Sequence, residues 1–439
     1  MVIMKNQTRL LSILMNDILV GQLEKTKNTG FIFRYDQNWL NTPGSRPISL
    51  SLPLMNQQYT GDVVYNFFDN LLPDNPQIRS RIQAKFQAPT SQAFDLLAVI
   101  GKDCVGAIQI IEGEIAKLRK KQIRCEPLDE NKIANILKNH QRYPLGMTDE
   151  FDEFRISIAG AQEKSAFLYH NNTWNRPLDT TPTSHIFKLP IGYIQHQNMD
   201  LSDSCENEWL CSQITEAFGL SVAPCEIKYF NDIKALVVER FDRKYSSDKT
   251  WLMRLPQEDM CQALGISSHL KYQSDGGPGI AKIMRLLLGS ANPIEDRDTF
   301  FRSQILFWLL AAIDGHAKNF SLFIEPEGQY RLTPLYDIMS AYPLIKNKQL
   351  QSQKIKMAMA LRGKTNHYHW HNLQRRYFLE TAKAVNYSPI RAEQILDEML
   401  EKIDMVIQTV SRKLPKKFPS KISEPIFEGI FLLKHKLLK

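Results

Sequence analysis

The order of strand-like and helix-like segments limits the fold of this chain more than any other feature. Short apolar runs separated by turn residues predict small sheets, first near residues 10–35 and again between about residues 151 and 240. One helical pattern, from Asn207 to Phe218, interrupts the second group of strands. From Met260 onward the apolar spacing is mostly helical. We therefore predict an α+β fold in which a small β-rich lobe precedes a larger helical lobe, with a further β-rich region at the N-terminus.

Length and composition are those of an ordinary globular protein. The 439 residues are enough for two or three domains, and hydrophobic and charged fractions of 43% and 23% indicate neither disorder nor low complexity. We predict that residues 1–145 form an N-terminal domain with an antiparallel sheet and helices. Residues 146–240 then form the β-rich lobe, and residues 241–439 form the helical lobe.

Three further features bear on where such a chain works. The longest apolar stretch, Ile305 to Ile313, is far shorter than the roughly 20 residues that cross a membrane, and it predicts a buried helix. The six cysteines form no C-x-x-C pair, which favours reduced core residues. The first residues do not resemble a secretory signal, so we expect a cytoplasmic protein with no membrane partner. The net charge of +8 permits contact with nucleic acid but does not require it.

Three polar residues near the middle of the helical region have a spacing that chemistry can explain. Asp314 and Asn319 enclose the run Gly-His-Ala-Lys, and Asp337 follows two predicted strands at residues 320–324 and 329–332. This pattern is typical of a kinase catalytic loop and its metal-binding aspartate. One carboxylate would accept the proton of an attacking hydroxyl, while an amide oxygen and the second carboxylate hold Mg²⁺ against a triphosphate. Taken alone, Asp-Gly is also a common turn and the asparagine a common cap.

A lysine and a glutamate upstream extend this pattern. Lys188 follows Phe187 in a predicted strand, so the two side chains lie on opposite faces and the ammonium can be aimed at phosphate oxygens. Glu208, in the helix that follows, could pair with the lysine and align it. Glu206 is a rival for that role, and either glutamate could instead be a surface charge.

Small residues precede the lysine strand, and a polar strand end follows the helix. Ala159, Gly160 and Ala161 would let backbone N–H groups approach phosphates, although the loop matches neither G-x-G-x-x-G nor the P-loop pattern. Residues 237–243 end a strand where a kinase hinge would present backbone groups to adenine. Small-residue loop, lysine strand, glutamate helix, hinge and Asp-x4-Asn therefore occur in the order that kinases use.

Over most of its length the sequence resembles the HipA family of bacterial serine/threonine protein kinases, the toxins of type II toxin–antitoxin pairs. The matching runs lie at residues 67–74, 157–164, 238–243, 254–262 and 314–319. The resemblance implies a two-lobed protein-kinase-like fold, with ATP and Mg²⁺ as cofactors.

The resemblance also implies roles for individual residues. Asp314 would be the catalytic base, and Asn319 and Asp337 would hold Mg²⁺. Ser157 would be autophosphorylated, and the added negative charge beside the ATP phosphates would eject the phosphate loop and silence the enzyme. The residues expected to line the ATP site are Ala159, Gly160, Ala161, Gln162, Glu163, Lys164, Lys188, Glu239, Arg240, Phe241, His316, Ala317, Lys318, Asn319, Tyr336 and Asp337.

Members of the family bind a small helix-turn-helix antitoxin of the HipB type, and the complex represses its own operator DNA. Lys383 matches a position of DNA contact and shares a predicted helix face with Arg376, although that face could simply be solvated. The resemblance further implies a bacterial protein substrate, with glutamate–tRNA ligase as the candidate, whose modification would arrest translation and growth. Two alternatives stay open, namely a small-molecule or lipid kinase of related fold and a catalytically inactive corepressor scaffold.

Overall fold

A computed structural model describes residues 9–26, 30–113, 115, 121–142, 162 and 164–437. Strands dominate the first half of this part and helices the second, which confirms the predicted α+β class. All six cysteines are free thiols. No helix in the described ranges combines the length and the apolar character that a membrane crossing needs.

An antiparallel five-stranded sheet forms the core of the N-terminal domain. Its order is β4-β3-β2-β1-β5, so β5 closes the sheet beside the first strand. One face is buried against helices through aromatic side chains such as Phe33, Phe68 and Phe94. The elements are β1 (Arg9–Met15), β2 (Ile18–Lys25), β3 (Phe31–Tyr35), α1 (Gln37–Leu40), β4 (Gln58–Thr60), α2 (Asp62–Asp69), α3 (Pro76–Lys85), α4 (Ala93–Ile100) and β5 (Ile108–Ile111).

A six-stranded sheet with the order β12-β13-β9-β7-β8-β6 follows. Alternation along its strands separates two apolar layers, because Ala235 and Val237 pack with helix α5 whereas Leu236 and Val238 pack with helix α6. The elements are β6 (Cys125–Pro127), α5 (Glu130–Arg142), β7 (Lys164–His170), β8 (Thr173–Pro177), β9 (His185–Lys188), β10 (Gly192–Ile194), β11 (Met199–Leu201), α6 (Ser204–Ala217), β12 (Cys225–Phe230) and β13 (Ile233–Glu239).

Strand β6 and helix α5 pack with the six-stranded sheet although both precede residue 146. Strand β6 pairs with β8, and Leu128, Ile133 and Leu137 pack against Phe167 and other residues of the second sheet. We therefore propose that the second domain begins before β6 rather than near residue 146.

The rest of the chain is mostly helical and packs around α9, whose buried C-terminal half contains residues 305–309. A β-hairpin formed by β19 and β20 lies among these helices, where the apolar spacing had predicted no strands. The elements are β14 (Arg243–Tyr245), β15 (Leu252–Arg254), β16 (Gln257–Asp259), α7 (Met260–Ala263), α8 (Ile280–Leu286), α9 (Pro293–Leu309), β17 (Ser321–Ile324), β18 (Tyr330–Leu332), α10 (Tyr342–Lys346), β19 (Lys356–Arg362), β20 (Asn366–His369), α11 (Arg375–Ala384), α12 (Pro389–Lys413) and α13 (Ser420–Leu437).

A buried network of charged groups joins the N-terminal domain to the rest of the protein. Asp103, on the N-terminal side, accepts hydrogen bonds from Arg243 at 2.9 Å and Arg254 at 3.2 Å, and lies 3.4 Å from Arg240. Asp242 pairs with Arg240 and accepts a hydrogen bond from the N–H of Gly106 at 2.7 Å. Three guanidinium groups thus share two carboxylates out of contact with water.

Glu258 is a second buried acid at this junction. Its carboxyl accepts a hydrogen bond from the N–H of Leu50 at 2.8 Å and another from the hydroxyl of Ser49. Burial raises the pKa of Glu258 to about 8, and these two hydrogen bonds offset only part of that effect. The carboxyl therefore holds its proton in the folded protein near neutral pH.

This raised pKa predicts how stability depends on pH. Between its ordinary pKa and about 8, Glu258 binds a proton more tightly in the folded than in the unfolded state, so its contribution to stability falls as pH rises through that window. Glu258→Gln removes the titration. We expect the variant to gain a few kcal/mol relative to the wild type between pH 5 and pH 8, measured by urea unfolding at both values. An equal stability difference at the two pH values would contradict the assignment.

Candidate active site

A cavity of about 800 Å³ lies where the six-stranded sheet, the helical region and the N-terminal domain meet. It is lined by the predicted base Asp314, by Glu208 and by most of the residues expected at an ATP site, namely Gln162, Lys164, Lys188, Glu239, Arg240, Phe241, His316, Lys318, Asn319, Tyr336 and Asp337. Ala317 lies in the hydrophobic core instead of the cavity wall. Five predicted residues lie outside the described part of the chain, namely Ser157, Ala159, Gly160, Ala161 and Glu163.

Lys188 is a buried cation in the cavity wall, paired with two carboxylates. It ends β9, between β7 and β13, with Phe187 directed into the apolar layer on the other face. Its Nζ lies 2.6 Å from Oε1 of Glu208 and 2.6 Å from Oδ1 of Asp337. Burial lowers the pKa of Lys188, but the carboxylates of Asp337 and Glu208 outweigh burial and raise it above its usual value. The lysine is therefore a fixed cation joining the sheet, helix α6 and the loop that carries Asp337.

The rival glutamate has a different partner. Oε1 of Glu206 lies 2.6 Å from Nζ of Lys234, which is carried by β13. Neither residue lines the cavity. The structure therefore contains two ion pairs of equal length between the same sheet and the same helix, and the pair with Glu208 is the one at the cavity.

These two pairs allow a matched test of Lys188. We expect Lys188→Met to slow phosphoryl transfer by about 100- to 1,000-fold, because it removes a cation placed to stabilise charge on the transferring group. Lys234→Met breaks a pair of the same length outside the cavity and should leave the transfer rate close to that of the wild type. Transfer rates at saturating Mg·ATP measure both effects, and equal losses in the two variants would reduce Lys188 to a structural role.

The segment from Asp314 to Asn319 is folded so that the side chain of Asn319 contacts the backbone of both Asp314 and Asp337. The amide nitrogen of Asn319 donates to the carbonyl oxygen of Asp314 at 2.9 Å and to that of Asp337 at 3.5 Å. Gly315 has no room for a side chain, since a Cβ would lie 2.2 Å from the ring of Phe307. The spacing read from the sequence thus brings these three polar residues to one wall.

Oxygen ligands suited to Mg²⁺ are present at this wall. Asp337 offers a carboxylate. The amide nitrogen of Asn319 donates hydrogen bonds to the protein, which leaves its amide oxygen as a second ligand. Among the described residues, no group of three or more His, Cys, Asp or Glu is arranged to hold a metal. That is compatible with Mg²⁺, which commonly takes one or two protein ligands and completes its shell with phosphates and water.

The backbone at Asp337 is itself unusual. Its φ of +60° lies in the left-handed region, which a residue other than glycine rarely adopts. Burial would raise the pKa of its carboxyl, but the ammonium groups of Lys188 and Lys164 outweigh burial and hold the pKa well below its usual value. Asp337 is therefore a carboxylate at any physiological pH, as a metal ligand must be.

Tyr272 is a site residue that the sequence did not reveal. Its hydroxyl donates a hydrogen bond to a carboxylate oxygen of Asp314, and its ring meets that of His316 edge to face at 5.0 Å. Burial lowers the pKa of His316, so this imidazole is neutral near pH 7. No local pattern marks Tyr272, because it lies far from Asp314 along the chain and only the fold brings the two together.

An apolar slot occupies another part of the cavity. Its walls include Ile186, Val238 and Phe241, and the Phe241 and Tyr336 rings lie 5.7 Å apart. At the predicted hinge, the N–H groups of Glu239 and Arg240 donate to carbonyl oxygens of the protein itself. A planar base could stack in this slot, but it would have to use other groups of the hinge for hydrogen bonds.

Some predicted ATP-site residues, among them Arg240, Lys318 and Gln162, have side chains bound to other parts of the protein. The guanidinium of Arg240 is bound in the buried network with Asp103 and Asp242. The ammonium of Lys318 donates to Oδ1 of Asn70 at 2.7 Å and to its carbonyl oxygen at 3.2 Å, and lies 3.0 Å from a carboxylate oxygen of Asp259. The amide of Gln162 donates to the carbonyl oxygen of Leu189.

Lys383 lies apart from the cavity. It is exposed in the last turn of α11, on the same helix as Arg376.

Comparison with known protein families matches both halves of the chain. The HipA-like C-terminal domain matches residues 156–407, and the HipA N-terminal domain matches residues 11–111. Protein Y4mE of Sinorhizobium fredii is 33% identical over 341 residues, which cover 76% of this chain and 78% of that protein. The serine/threonine-protein kinase toxin HipA of Shewanella oneidensis is 27% identical over 347 residues, 76% of either chain.

The fold is also that of a solved structure. The structure of the Shewanella oneidensis HipA, HipB and operator DNA complex contains a chain that superposes with a TM-score of 0.81 at 21% identity, covering 98% of this chain and 97% of that one. This likeness shows that the two-lobed, kinase-like fold predicted from the sequence is present.

Proposed function

This chain belongs to the HipA family, and from that membership we propose that it is a Mg·ATP-dependent serine/threonine protein kinase, the toxin of a type II toxin–antitoxin pair. Kinase activity is what its named relatives share. The observation that carries the proposal is the position of Lys188, 2.6 Å from both Glu208 and Asp337 in a cavity that also holds Asp314 and Asn319.

Each side chain would have one task in the transfer. Asp314 is exposed at the cavity and accepts the proton of the attacking serine or threonine hydroxyl. Lys188 would hold phosphate oxygens of ATP, and Asn319 and Asp337 would hold Mg²⁺. When bound, the metal would neutralise charge on the phosphates. The apolar slot lined by Ile186, Val238, Phe241 and Tyr336 would take the adenine ring.

The substrate we propose is a bacterial protein, with glutamate–tRNA ligase as the first candidate on the strength of the family. Phosphorylation of that enzyme would stop tRNA charging and arrest translation. We also propose that Ser157, outside the described residues, is autophosphorylated and that its phosphate repels the ATP phosphates.

The partners follow from the same membership. We propose that the chain binds a helix-turn-helix antitoxin of the HipB type and joins it on operator DNA, with Lys383 contacting phosphates. The complex with HipB and operator DNA formed by the similar Shewanella oneidensis protein supports this arrangement. A chain that bound antitoxin and operator but neither ATP nor Mg²⁺ would instead be a corepressor scaffold.

Phosphopeptide mapping tests the substrate and Ser157 together. The purified chain is incubated with Mg·ATP, with and without glutamate–tRNA ligase, and both proteins are digested and analysed by mass spectrometry. We expect phosphate on the ligase and on Ser157. Unmodified ligase would overturn that substrate, and transfer to a sugar, an aminoglycoside or an inositol lipid instead of protein would identify a small-molecule or lipid kinase.

A further inference from the structure

Residues 66–74 of the N-terminal domain contact two parts of the helical region that lie near the predicted base Asp314, namely residues 262–271 and Lys318. The side-chain amide of Asn66 donates to the carbonyl oxygen of Gly265 at 2.9 Å, and that of Asn70 donates to Ile266 at 2.9 Å. In return the amide of Gln262 donates to the carbonyl oxygen of Phe67 at 3.2 Å. The end of helix α2 is therefore tied to the backbone that leads to Tyr272.

Asp74 lies between two lysines of the helical region. Its Oδ2 lies 2.9 Å from Nζ of Lys271, and its Oδ1 lies 3.7 Å from Nζ of Lys318. The Oδ1 atom is buried, and it accepts no hydrogen bond from the residues that the structure describes. Burial would raise the pKa of Asp74, but the two ammonium groups outweigh it and lower the pKa, so the group is a carboxylate.

Both lysines are connected to Asp314, Lys271 through its neighbour Tyr272 and Lys318 through the loop that contains both residues. Lys271 precedes Tyr272, whose hydroxyl donates to the Asp314 carboxylate, and the ammonium of Lys271 also lies over the Tyr272 ring at 5.8 Å. The carbonyl oxygen of Lys271 accepts from the N–H of Ala317 at 3.2 Å, within the catalytic loop. Lys318 is itself part of that loop. The Asp74 carboxylate of the N-terminal domain thus lies beside two lysines, one adjacent to Tyr272 and the other in the loop that begins at Asp314.

We propose that Asp74 is a positioning residue for phosphoryl transfer, holding Asp314 in its reactive orientation through Lys271 and Tyr272 on one side and Lys318 on the other. The inference rests on the proposed kinase function. It gives the N-terminal domain a direct contribution to the rate of phosphoryl transfer.

The physical reason lies in the exposure of Asp314. An exposed carboxylate has several rotamers of similar energy, and the hydroxyl of Tyr272 selects one of them. Without the charge of Asp74, the ammonium of Lys271 loses its carboxylate partner. No negative charge at residue 74 then separates it from the ammonium of Lys318. A displacement of about 1 Å at a reacting group can cost about 100-fold in rate.

The test compares two carboxylates of the same segment. Asp74→Asn keeps the size of the side chain and removes its charge. Asp69→Asn is the matched control, because Asp69 is also largely shielded from water but pairs with Arg79 inside the N-terminal domain at 2.6 Å. The rate of phosphate incorporation into the chain and into dephosphorylated casein is measured against Mg·ATP concentration, below the unfolding temperature of each variant.

We expect Asp74→Asn to lower the maximal rate at least about tenfold, with the half-saturating ATP concentration changed less than about twofold, because the base is misplaced while the nucleotide site is intact. Asp69→Asn should keep the maximal rate of the wild type. A merely structural role for Asp74 would lower the stability of Asp74→Asn and leave its maximal rate unchanged, which would overturn the inference.

A second variant covers the case in which Asp74→Asn fails to fold. Lys271→Met removes the same ion pair from its partly exposed partner and should show the same loss of maximal rate. Where both single variants fold, the double variant should be no slower than Asp74→Asn alone, because Asp74→Asn already breaks the contact with Lys271. Losses that multiply would overturn the inference. No transfer by the wild type would overturn the kinase function itself, whereas wild-type rates in Asp74→Asn would overturn the inference alone.

Discussion

Asp314→Asn should slow phosphoryl transfer by about 100- to 10,000-fold, the range associated with loss of a general base. The amide keeps the size of the carboxylate and an oxygen that can accept from Tyr272, but it cannot take the proton of the attacking hydroxyl. Because the side chain is exposed, the free energy of unfolding should change by less than about 0.5 kcal/mol. Transfer rates and urea unfolding curves of the same preparation measure both quantities.

The control for this variant is a neighbouring exposed acid. Asp275 lies three residues beyond Tyr272 and contacts Ser274, and it does not line the cavity. Asp275→Asn should transfer phosphate at the wild-type rate. Equal activity of Asp314→Asn and the wild type, with ATP still bound, would show that another group accepts the proton.

Asp103→Ala should have the largest effect on stability, a loss of about 3–5 kcal/mol. The variant leaves the guanidinium groups of Arg240, Arg243 and Arg254 buried, with only Asp242 to balance them. Burial would raise the pKa of Asp103, but the arginines outweigh it and hold the pKa well below its usual value, so the charge is present at every pH near neutrality. Chemical unfolding followed by fluorescence measures the loss.

An exposed ion pair provides the comparison. Asp397 lies 2.6 Å from Arg375 on the surface of the helical region, and its removal as Asp397→Ala should cost less than about 1 kcal/mol. A similar loss in both variants would mean that the network at Asp103 contributes no more than a surface pair.

Local patterns in the sequence were enough for strands in three of the six sheets in the described part of the chain and for the residues that meet at the centre of the cavity. Alternation predicted the three N-terminal strands and the strand that carries Lys188, and the helix with Glu208 occurs where its spacing placed it. The wall formed by Asp314, Asn319 and Asp337 follows from short loops, in which neighbouring positions along the chain remain neighbours in space.

Contacts between distant segments could not be predicted in this way. Tyr272 reaches Asp314 through the fold of the helical region, and Asp74 reaches Lys271 because the N-terminal domain packs against that region. No periodicity in the sequence records either contact. The β19–β20 hairpin was missed for a related reason. Its first strand is buried from Met357 to Leu361, and a short continuous apolar run fits a buried helix as well as a strand.

Side-chain roles were harder to predict than positions. Lys318 lies in the loop between Asp314 and Asn319, yet its hydrogen bonds go to Asn70 and its ion pairs to Asp259 and Asp74 rather than being left for a nucleotide. A cation in a loop looks the same in a sequence whether it faces phosphate or a carboxylate of another domain. The choice depends on burial, which only the packed structure defines.

We propose above all that this chain transfers phosphate from Mg·ATP to protein hydroxyl groups with Asp314 as the base. The decisive measurement is incubation of the wild type and of Asp314→Asn with radiolabelled Mg·ATP, followed by phosphoamino-acid analysis of all protein present. We expect phosphoserine or phosphothreonine with the wild type and at least about 100-fold less of either with the variant. Label confined to a small molecule, or absent from wild-type samples that bind ATP, would contradict the claim.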